Sequence, residues 1–360
     1  MTRTLPVAQN SIYSERKELF IRWFHWSIHH DDCDPAIFMT NYLFSRFEHN
    51  REQKLWISWL YGTTYYFPTT WVIWNEFPDF ELVDQARIDS WNTSNFKRLR
   101  YQTDTKYNKG HLGAQYKSYR EWVFQNGGAQ EEAFAKFVKV DRTPQENFKV
   151  LFAELSNHLY KFGRYTTWFY LQTLKQCCGM NIDPPNLILD DYNGSRSHRN
   201  GLCLALGMDD WVNKKLTSEE YQWMENEAEL ILDEVKDRVM TTRPEAFHLV
   251  DYFTMETALC SFKKIFRVKH GRYLGYYLDR QAEEISTVAN DGWDGIFWKP
   301  LWDSRTEHPI LKSHPELLQG RIVEGRMSHF IDFGGVQRLE YLYSDAKPEI
   351  LPLESFFGDT

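Results

Sequence analysis

A short polar segment in the middle of the chain carries residue types suited to binding an anionic group. Acidic, basic and hydroxyl side chains and two glycines stand there directly before the apolar run 202–206. The candidates for binding an anion are Arg196, Ser197, His198 and Arg199. Because a helix N-terminus attracts negative charge and arginine forks onto phosphate oxygens, this segment predicts a site for a phosphate or an anionic leaving group. The alternative is an N-cap loop with surface arginines.

A second cluster combines rings, hydroxyls and a carboxylate on two predicted helices that meet at Pro68. Rings can stack on a nucleotide base that has been turned out of its duplex, and polar groups can bind the base edge. The predicted wall of this base pocket consists of Tyr61, Thr64, Tyr65, Trp71 and Asn75, with Glu76 as a central carboxylate. Aromatic residues form 16% of the chain. We expect most of them in the core, because each buried ring removes about 150–250 Å² from water.

The segment 154–168 predicts a helix, a short turn at Gly163 and a second helix. This shape resembles the helix-hairpin-helix of DNA glycosylases, whose turn amides meet a DNA phosphate without reading sequence, although the second glycine of that motif is absent. Gly163, Arg164 and Thr166 are therefore predicted to contact the DNA backbone, together with Lys106 from the loop 102–106. A plain helical hairpin with Gly163 as a C-cap explains the same residues.

A formal net charge of −8 would argue against a nucleic-acid partner if the charge were spread over the whole chain. The segment 218–237 holds eight acidic residues and one basic residue, so one predicted helix carries most of the imbalance. Two other stretches, 97–120 and 262–280, are basic and interleaved with tyrosines. Such a mixture binds phosphates by charge and bases by stacking, although a solvated basic face has the same composition.

Helix-start signals and apolar spacing predict a mostly α-helical protein. The clearest starts are the cap Asp34-Pro35 and the capping boxes that begin at Thr143 and Thr217. Other helices are predicted at 12–30, 52–66, 69–77, 79–92, 113–126, 164–178, 198–206, 244–267 and 273–289. The absence of alternating β-branched runs limits any sheet to a small one near 320–343.

These elements suggest a two-lobed helical fold, like that of the helix-hairpin-helix DNA glycosylases, with an irregular C-terminal wrap. The expected parts are an N-terminal helical lobe over 1–130, a second lobe with the hairpin over 131–290, and an extension over 291–360 packed on the body. No apolar run approaches the ~20 residues of a membrane span, and no leader is recognisable, so we expect a cytoplasmic protein without a membrane partner.

Cysteine usage and histidine spacing give little reason to expect a metal or a cofactor. Five cysteines form no Cys-x-x-Cys pair, which favours buried thiols over disulfides or a cysteine-rich zinc site. His25, His29 and Cys33 would share one face if a helix continued that far, with His30 beside them. A polar helix C-terminus explains these residues better, because histidines are favourable at that end of the helix dipole.

Several of these segments together resemble the phage amino acid:DNA transferases, which belong with the α-glutamyl/putrescinyl-thymine pyrophosphorylases of thymine hypermodification and are related to helical DNA glycosylases. The resemblance spans residues 34–285. The segments that carry it are Asn41–Phe47, Trp59–Tyr65, Pro68–Trp71, Asn75–Asp79, Gln102–Asp104, Ser195–Gly201 and Glu256–Cys260. After Gln102–Asp104 the sequence departs from the family pattern, at Thr105–Tyr107.

The resemblance implies a substrate, partners and roles. The substrate would be double-stranded phage DNA whose 5-hydroxymethyluracil a separate kinase has phosphorylated or pyrophosphorylated, in the cytoplasm of the host. The amine of a free amino acid or polyamine would then displace the phosphate. A carboxylate must take a proton from the attacking amine, and Asp191 is the first candidate, with Asp104 and Glu76 as alternates.

Two other functions stay open at this level. An N-glycosylase would use Asp191 to activate water at the sugar, and a non-catalytic DNA-binding protein would need only the two basic stretches. Release of free base identifies the former, and DNA binding that survives Asp191→Asn identifies the latter.

Overall fold

The computed structural model describes residues 11–47, 49–263 and 277–309. These residues are helical or irregular and contain no β-strand, so the prediction of a mostly α-helical protein is confirmed. The predicted sheet near 320–343 lies outside the described residues, as does most of the predicted C-terminal wrap. The described α-helices are α1 (Ser11–His29), α2 (Pro35–Arg46), α3 (Arg51–Thr64), α4 (Phe67–Glu76), α5 (Gln85–Asn95), α6 (Leu112–Gln125), α7 (Gln130–Phe137), α8 (Pro144–His158), α9 (Arg164–Cys178), α10 (Arg196–Ala205), α11 (Ser218–Thr242), α12 (Tyr252–Phe262), α13 (Tyr277–Asn290) and α14 (Lys299–Thr306).

Local capping chemistry fixes the helix starts that the sequence marks most clearly. At the start of α8 the amide of Glu146 donates to Thr143 Oγ1 over 3.2 Å, and the Thr143 amide donates to the Glu146 carboxylate over 2.9 Å. The same reciprocal box joins Thr217 and Glu220 at α11. Helix α2 begins at Pro35, as predicted. These boxes satisfy amides that the helix itself leaves open.

The helix predicted over 244–267 is confirmed only for Tyr252–Phe262, because the α-helix does not extend back beyond Asp251, and 264–267 lie outside the described residues. A 3-10 helix covers Pro244–Leu249, and α12 then begins with Asp251 as its N-cap, whose carboxylate accepts from the Thr254 amide over 2.8 Å. The predicted helix over 79–92 also begins late. A 3-10 turn occupies Phe80–Leu82, and α5 starts after Asp84, which caps it. In both cases an acidic cap interrupts an apolar pattern that looks continuous.

The chain divides into two compact units. Among the described residues, the first unit contains 11–34, 186–263 and 277–279, and the second contains 35–47, 49–185 and 280–309. The three-part division at 130 and 290 stays a prediction. Among the described helices, none combines the length and the apolar character that a membrane crossing requires.

In the second unit, α3 packs closely against α9. Gly62 makes this possible, because a Cβ at this position would lie 2.8 Å from the Cβ of Tyr170. Stacked rings extend the same core: Trp59 stacks on Trp56 and on Tyr119, with ring centroids 5.0 Å apart in each pair. Most of the aromatic rings on these helices are therefore buried in the core.

The first unit is built around α1, α10, α11 and α12. Trp23 of α1 is buried and donates its indole N–H to Ser261 of α12 over 3.0 Å. Arg16, also buried, pairs with Asp209 over 2.7 Å in the turn that follows α10. These contacts fix α10 and α12, the two helices that carry the polar segment and the Glu256–Cys260 motif.

Candidate functional site

The loop before α10 is held by a carboxylate from the acidic helix α11. Glu225 accepts the backbone N–H of Leu187 over 3.0 Å and that of Leu189 over 2.8 Å. Ser195, buried at the N-cap position, donates its hydroxyl to the carbonyl of Leu189. Charge-assisted bonds of this kind contribute about 1.5–3 kcal/mol each. Glu225 is thus a positioning residue, which the acidic composition of segment 218–237 did not indicate.

Asp191 lies in this loop, half-buried, and its carboxylate accepts the backbone N–H of Gly194 over 3.1 Å. Its carbonyl oxygen accepts the amide of Ser195 over 2.8 Å, so the loop closes into the first turn of α10. Asp190 is exposed. The arrangement fixes the direction of the Asp191 side chain, and its assignment as the base stays a prediction.

Arg199 is fully buried, and one edge of its guanidinium group is unoccupied by any hydrogen-bond partner among the described residues. Its Nη1 donates to the carbonyl of Tyr192 over 3.0 Å, and the guanidinium lies over the Tyr192 ring at 4.4 Å. Nε and Nη2 are both buried and without a hydrogen bond. A buried cation without a counter-charge costs several kcal/mol, as an order of magnitude. The role of Arg199 in binding a leaving group stays a prediction.

The other three predicted leaving-group residues occupy different settings. Arg196 is exposed and donates to the Asn213 side chain over 3.0 Å. Ser197 is half-buried, and its hydroxyl lies beside Cys260 and Lys263. His198 is buried, with its ring between the Glu256 carboxylate and the carbonyl of Leu187. Their roles in binding a leaving group remain predictions.

Gly201 lets α10 approach α12. A Cβ at Gly201 would lie 2.3 Å from the carbonyl oxygen of Leu259, a distance that requires the two backbones to separate. We expect Gly201→Ala to lower the free energy of unfolding by about 1–3 kcal/mol, as overpacking does elsewhere. Urea titrations followed by tryptophan fluorescence measure this change.

Gly110→Ala is the matched control for that substitution, because no atom of another residue lies within 4 Å of the place that a Cβ of residue 110 would take. We expect it to change the unfolding free energy by less than ~0.5 kcal/mol. Equal stability of the two variants would mean that α10 and α12 do not depend on the close approach at Gly201.

Two of the predicted base-pocket rings lie in the core of the second unit. Tyr61 and Trp71 are both buried and belong to one apolar cluster with Phe67. Trp71 donates its indole N–H to the carbonyl of Phe297 over 3.1 Å. Thr64 is also buried, with its hydroxyl 2.7 Å from that of Thr70. These residues support the wall of a pocket more readily than they stack on a ligand.

Tyr65 differs from them, because it is half-buried and its backbone is left-handed, with φ of 45°. This backbone belongs to the end of α3, where Tyr65 is the C-cap residue and its amide donates to the carbonyl of Tyr61 over 2.7 Å. Its ring centroid lies 4.0 Å from that of Phe169. Among the predicted rings Tyr61, Tyr65 and Trp71, Tyr65 is the one that is not buried, and its contact with a base stays a prediction.

Asn75 and Glu76, which were predicted to lie at the same pocket, form their contacts at or near the surface. Asn75 is exposed and donates its amide to the carbonyl of Trp71 over 2.7 Å. Glu76 ends α4 and forms an ion pair with Arg87 at 2.5 Å. Asp104 lies in the 3-10 helix Thr103–Asn108, and its side chain is outside the part of the chain that the structure describes.

The hairpin between α8 and α9 presents a basic and aromatic surface. Gly163 is the N-cap of α9, so its prediction as a C-cap is wrong. Lys161 donates to the carbonyl of Tyr107 over 3.0 Å, and Tyr107 and Tyr160 are each 43% exposed. We call Lys106, Tyr107, Tyr160, Lys161 and Gly163 the hairpin surface; Lys106 is exposed next to Tyr107 in the chain.

The two other residues predicted to contact the DNA backbone, Thr166 and Arg164, are less exposed than Tyr107 and Tyr160. Thr166 is buried, with its hydroxyl 2.8 Å from that of Tyr107. Arg164 is half-buried and packs its guanidinium over the Trp168 ring at 4.7 Å. The second basic stretch, 262–280, falls mostly on 264–276, which lie outside the described residues.

The histidine-rich end of α1 has the contacts of a helix terminus. His25 shares a hydrogen bond of 2.8 Å with the Thr242 hydroxyl. Cys33 is buried, and this burial together with the surrounding carboxylates, Asp32 foremost, raises the pKa of its thiol well above the ordinary value.

The predicted buried thiols are confirmed in part. Cys33, Cys178 and Cys203 are buried, whereas Cys177 and Cys260 are half-buried. Burial raises the pKa of the Cys203 thiol to about 12.

An open cavity of about 510 Å³ lies where α2 connects to α3. Its walls are formed by Phe44, Ser45, Arg46, Phe47, His49, Asn50 and Gln53. The motif Asn41–Phe47 supplies four of these residues, and residue types alone indicate no role for them.

Comparison with known proteins identifies the family of this chain. The amino acid:DNA transferase family matches residues 28–271, which include the loop before α10, Tyr65 and the hairpin. A serinyltransferase of Salmonella phage ViI is 31% identical over 269 residues, covering 71% of this chain and 63% of that protein, so the chain spans less than two thirds of this relative's length. No solved structure matches. The chain belongs to the amino acid:DNA transferase family.

Proposed function

We propose that this protein joins the amine of an amino acid to phosphorylated 5-hydroxymethyluracil in double-stranded DNA, releasing phosphate or pyrophosphate. Family membership supports an amino acid and DNA as substrates. The name of the phage relative makes serine the first amine to test. A separate DNA kinase would supply the phosphorylated base.

The observation that carries this proposal is the unoccupied edge of Arg199. Nε and Nη2 lie on the same side of the guanidinium, the edge that binds two oxygens of a phosphate or carboxylate at once. Arg199 lies in the first turn of α10, whose N-cap residue, Ser195, makes no side-chain capping bond. A buried cation beside a helix N-terminus stabilises a departing phosphate as its charge develops.

The step is a displacement at carbon. The amine nitrogen gives its lone pair to the exocyclic methylene carbon, the carbon–oxygen bond breaks, and its electron pair leaves on the phosphate oxygen. The proton of the attacking amine passes to the Asp191 carboxylate, which Gly194 orients. Arg199 receives the negative charge that the phosphate gains.

A base inside a duplex is out of reach, so the target nucleotide must be turned out at a cost of a few kcal/mol. We assign the hairpin surface to the DNA backbone. The exposed tyrosines and the neighbouring lysines suit a sequence-independent contact.

The experiment incubates the protein with DNA containing phosphorylated 5-hydroxymethyluracil and a pool of amino acids and polyamines, then digests the DNA to nucleosides for mass spectrometry. We expect a serine adduct and no adduct on DNA with unphosphorylated 5-hydroxymethyluracil. Free base or abasic sites would indicate a glycosylase instead. Intact DNA without any adduct, from a folded protein, would reject the proposal.

The hairpin surface yields a separate prediction for Gly163→Asp. A side chain fits there, because nothing lies within 4 Å of a Cβ and φ is −72°. An aspartate would cap α9 and raise the unfolding free energy by up to ~1 kcal/mol. The same carboxylate would repel a phosphate, so we expect DNA affinity to fall about tenfold in fluorescence anisotropy at low salt.

Ala129→Asp is the matched control, since Ala129 is also an N-cap without a side-chain bond, at α7. It adds the same charge and the same cap at another helix. A loss of DNA affinity as large as that of Gly163→Asp would mean that the hairpin surface does not contact DNA.

A further inference from the structure

Three side chains of different chemical types meet in the first unit, where α10 packs on α12. His198 Nδ1 lies 3.1 Å from Glu256 Oε1, and Cys260 Sγ lies 3.5 Å from the same oxygen. One ligand atom from each residue lies within 4.8 Å of those of the other two. The His198 and Glu256 side chains are each only 1% exposed, and Cys260 is half-buried.

The local fold makes this meeting a consequence of helix geometry. Glu256 and Cys260 are four residues apart on α12 and therefore share one face. His198 projects from α10, which approaches α12 closely at Gly201. The cluster is thus set by the same contact that holds the two helices together.

The hydrogen-bond geometry of His198 requires a proton or a metal ion between its ring and the Glu256 carboxylate. Nε2 lies 3.2 Å from the carbonyl oxygen of Leu187, which can only accept, so Nε2 carries a proton. Nδ1 then directs either a lone pair or a second proton at the Glu256 carboxylate. Two lone pairs cannot face each other at 3.1 Å without a cation between them, and a proton or a metal ion can serve.

The donor set favours the metal ion, because a nitrogen, an oxygen and a sulfur ligand atom lie within 4.8 Å of one another. A histidine ligand ordinarily donates its other ring N–H to a backbone carbonyl, as Nε2 is placed to do with Leu187. Carboxylate and thiolate together match the charge of a divalent cation, which lowers the cost of burying it.

We propose that His198 Nδ1, the Glu256 carboxylate and Cys260 Sγ bind a single Zn²⁺ ion. Three protein ligands leave a fourth position for water or for the Ser197 hydroxyl, whose Oγ lies 3.2 Å from Sγ. The inference is independent of the proposed transfer reaction, because it rests on this cluster alone.

Cobalt(II) is the probe, because it occupies zinc sites and reports sulfur ligands by colour. Full-length protein, freed of bound metal by dialysis against a chelator and then against metal-free buffer, is titrated with Co²⁺ and followed by absorption spectroscopy. We expect one Co²⁺ per chain, with visible bands of a four-coordinate ion and a near-ultraviolet thiolate-to-cobalt band. Added Zn²⁺ should abolish both sets of bands and raise the Tm.

Three variants assign the site. Cys260→Ser should lose the thiolate-to-cobalt band, and His198→Gln should weaken Co²⁺ binding by at least about 100-fold. Cys177→Ser is the matched control, since Cys177 is also half-buried but lies on α9, and it should bind Co²⁺ like the unmodified protein. Circular dichroism checks that each variant is folded.

Two results would overturn the proposal. A folded wild-type protein that shows no cobalt bands, and whose Tm does not respond to Zn²⁺, would mean that a proton joins His198 to Glu256. A thiolate band that persists in Cys260→Ser would assign the metal to another cysteine. Neither result depends on transferase activity, so the proposed function is tested separately.

Discussion

Arg199→Met is expected to lower kcat/KM for amino acid transfer by about 10²–10³-fold, the loss that follows removal of one preorganised donor to a developing charge. Methionine fills a similar volume but offers neither charge nor N–H. The free energy of unfolding should not fall, since the bond to the Tyr192 carbonyl contributes about 1.5–3 kcal/mol and the buried cation that is removed with it costs several. Steady-state kinetics and urea titration measure the two effects.

Arg22→Met on α1 is the control, because Arg22 is an exposed arginine paired with Glu18. We expect it to leave kcat/KM unchanged. The reverse pattern for Arg199→Met, with activity kept and stability reduced by several kcal/mol, would make Arg199 a structural residue and remove the main support for the proposed function.

Asp191→Asn is expected to lower kcat by about 10²–10⁴-fold, the range over which a general base contributes. An asparagine oxygen can still accept the Gly194 amide, so the loop keeps its shape while the proton acceptor is lost. The KM for DNA should therefore stay close to that of the unmodified protein. Single-turnover assays with saturating DNA separate the chemical step from binding.

Asp190→Asn serves as the control in the neighbouring exposed position. If Asp191→Asn retains its activity while Glu76→Gln or Asp104→Asn loses it, the base is one of the two alternates. The three carboxylates therefore give three distinguishable outcomes.

Short-range chemistry makes much of the fold predictable. The boxes at Thr143 and Thr217 involve residues three apart, so the sequence alone specifies the bonds that start α8 and α11. The break before α12 is not predictable in the same way, because Asp251 interrupts a long apolar run. Only its capping bond to Thr254 shows that the helix restarts there.

The candidate site is predictable only in its local segments. The polar segment before α10 stands out by residue type, but its support by Glu225 comes from a helix more than thirty residues away. Glu225 is one of the eight acidic residues of segment 218–237, which carries most of the net negative charge. No rule based on neighbouring residues identifies which of those acids turns inward.

Pairing across helices is likewise out of reach of sequence patterns. Glu256 is an acid within an apolar helix, which indicates a buried partner without naming it, and that partner is His198, a residue that its own segment assigns to a leaving group. Conversely, Tyr61 and Trp71 carry the ring types of a base pocket and lie in the core. Ring chemistry does not reveal burial, because a core and a stacking surface use the same side chains.

The proposed reaction requires that an amine displace phosphate at the exocyclic carbon of the modified base. DNA labelled with ¹⁸O at the oxygen bridging that carbon to phosphorus tests this requirement, with serine as the amine and mass spectrometry of the products. We expect the released phosphate or pyrophosphate to carry the label and the serine adduct to carry none. Label retained on the base would show cleavage of the phosphorus–oxygen bond and contradict the displacement.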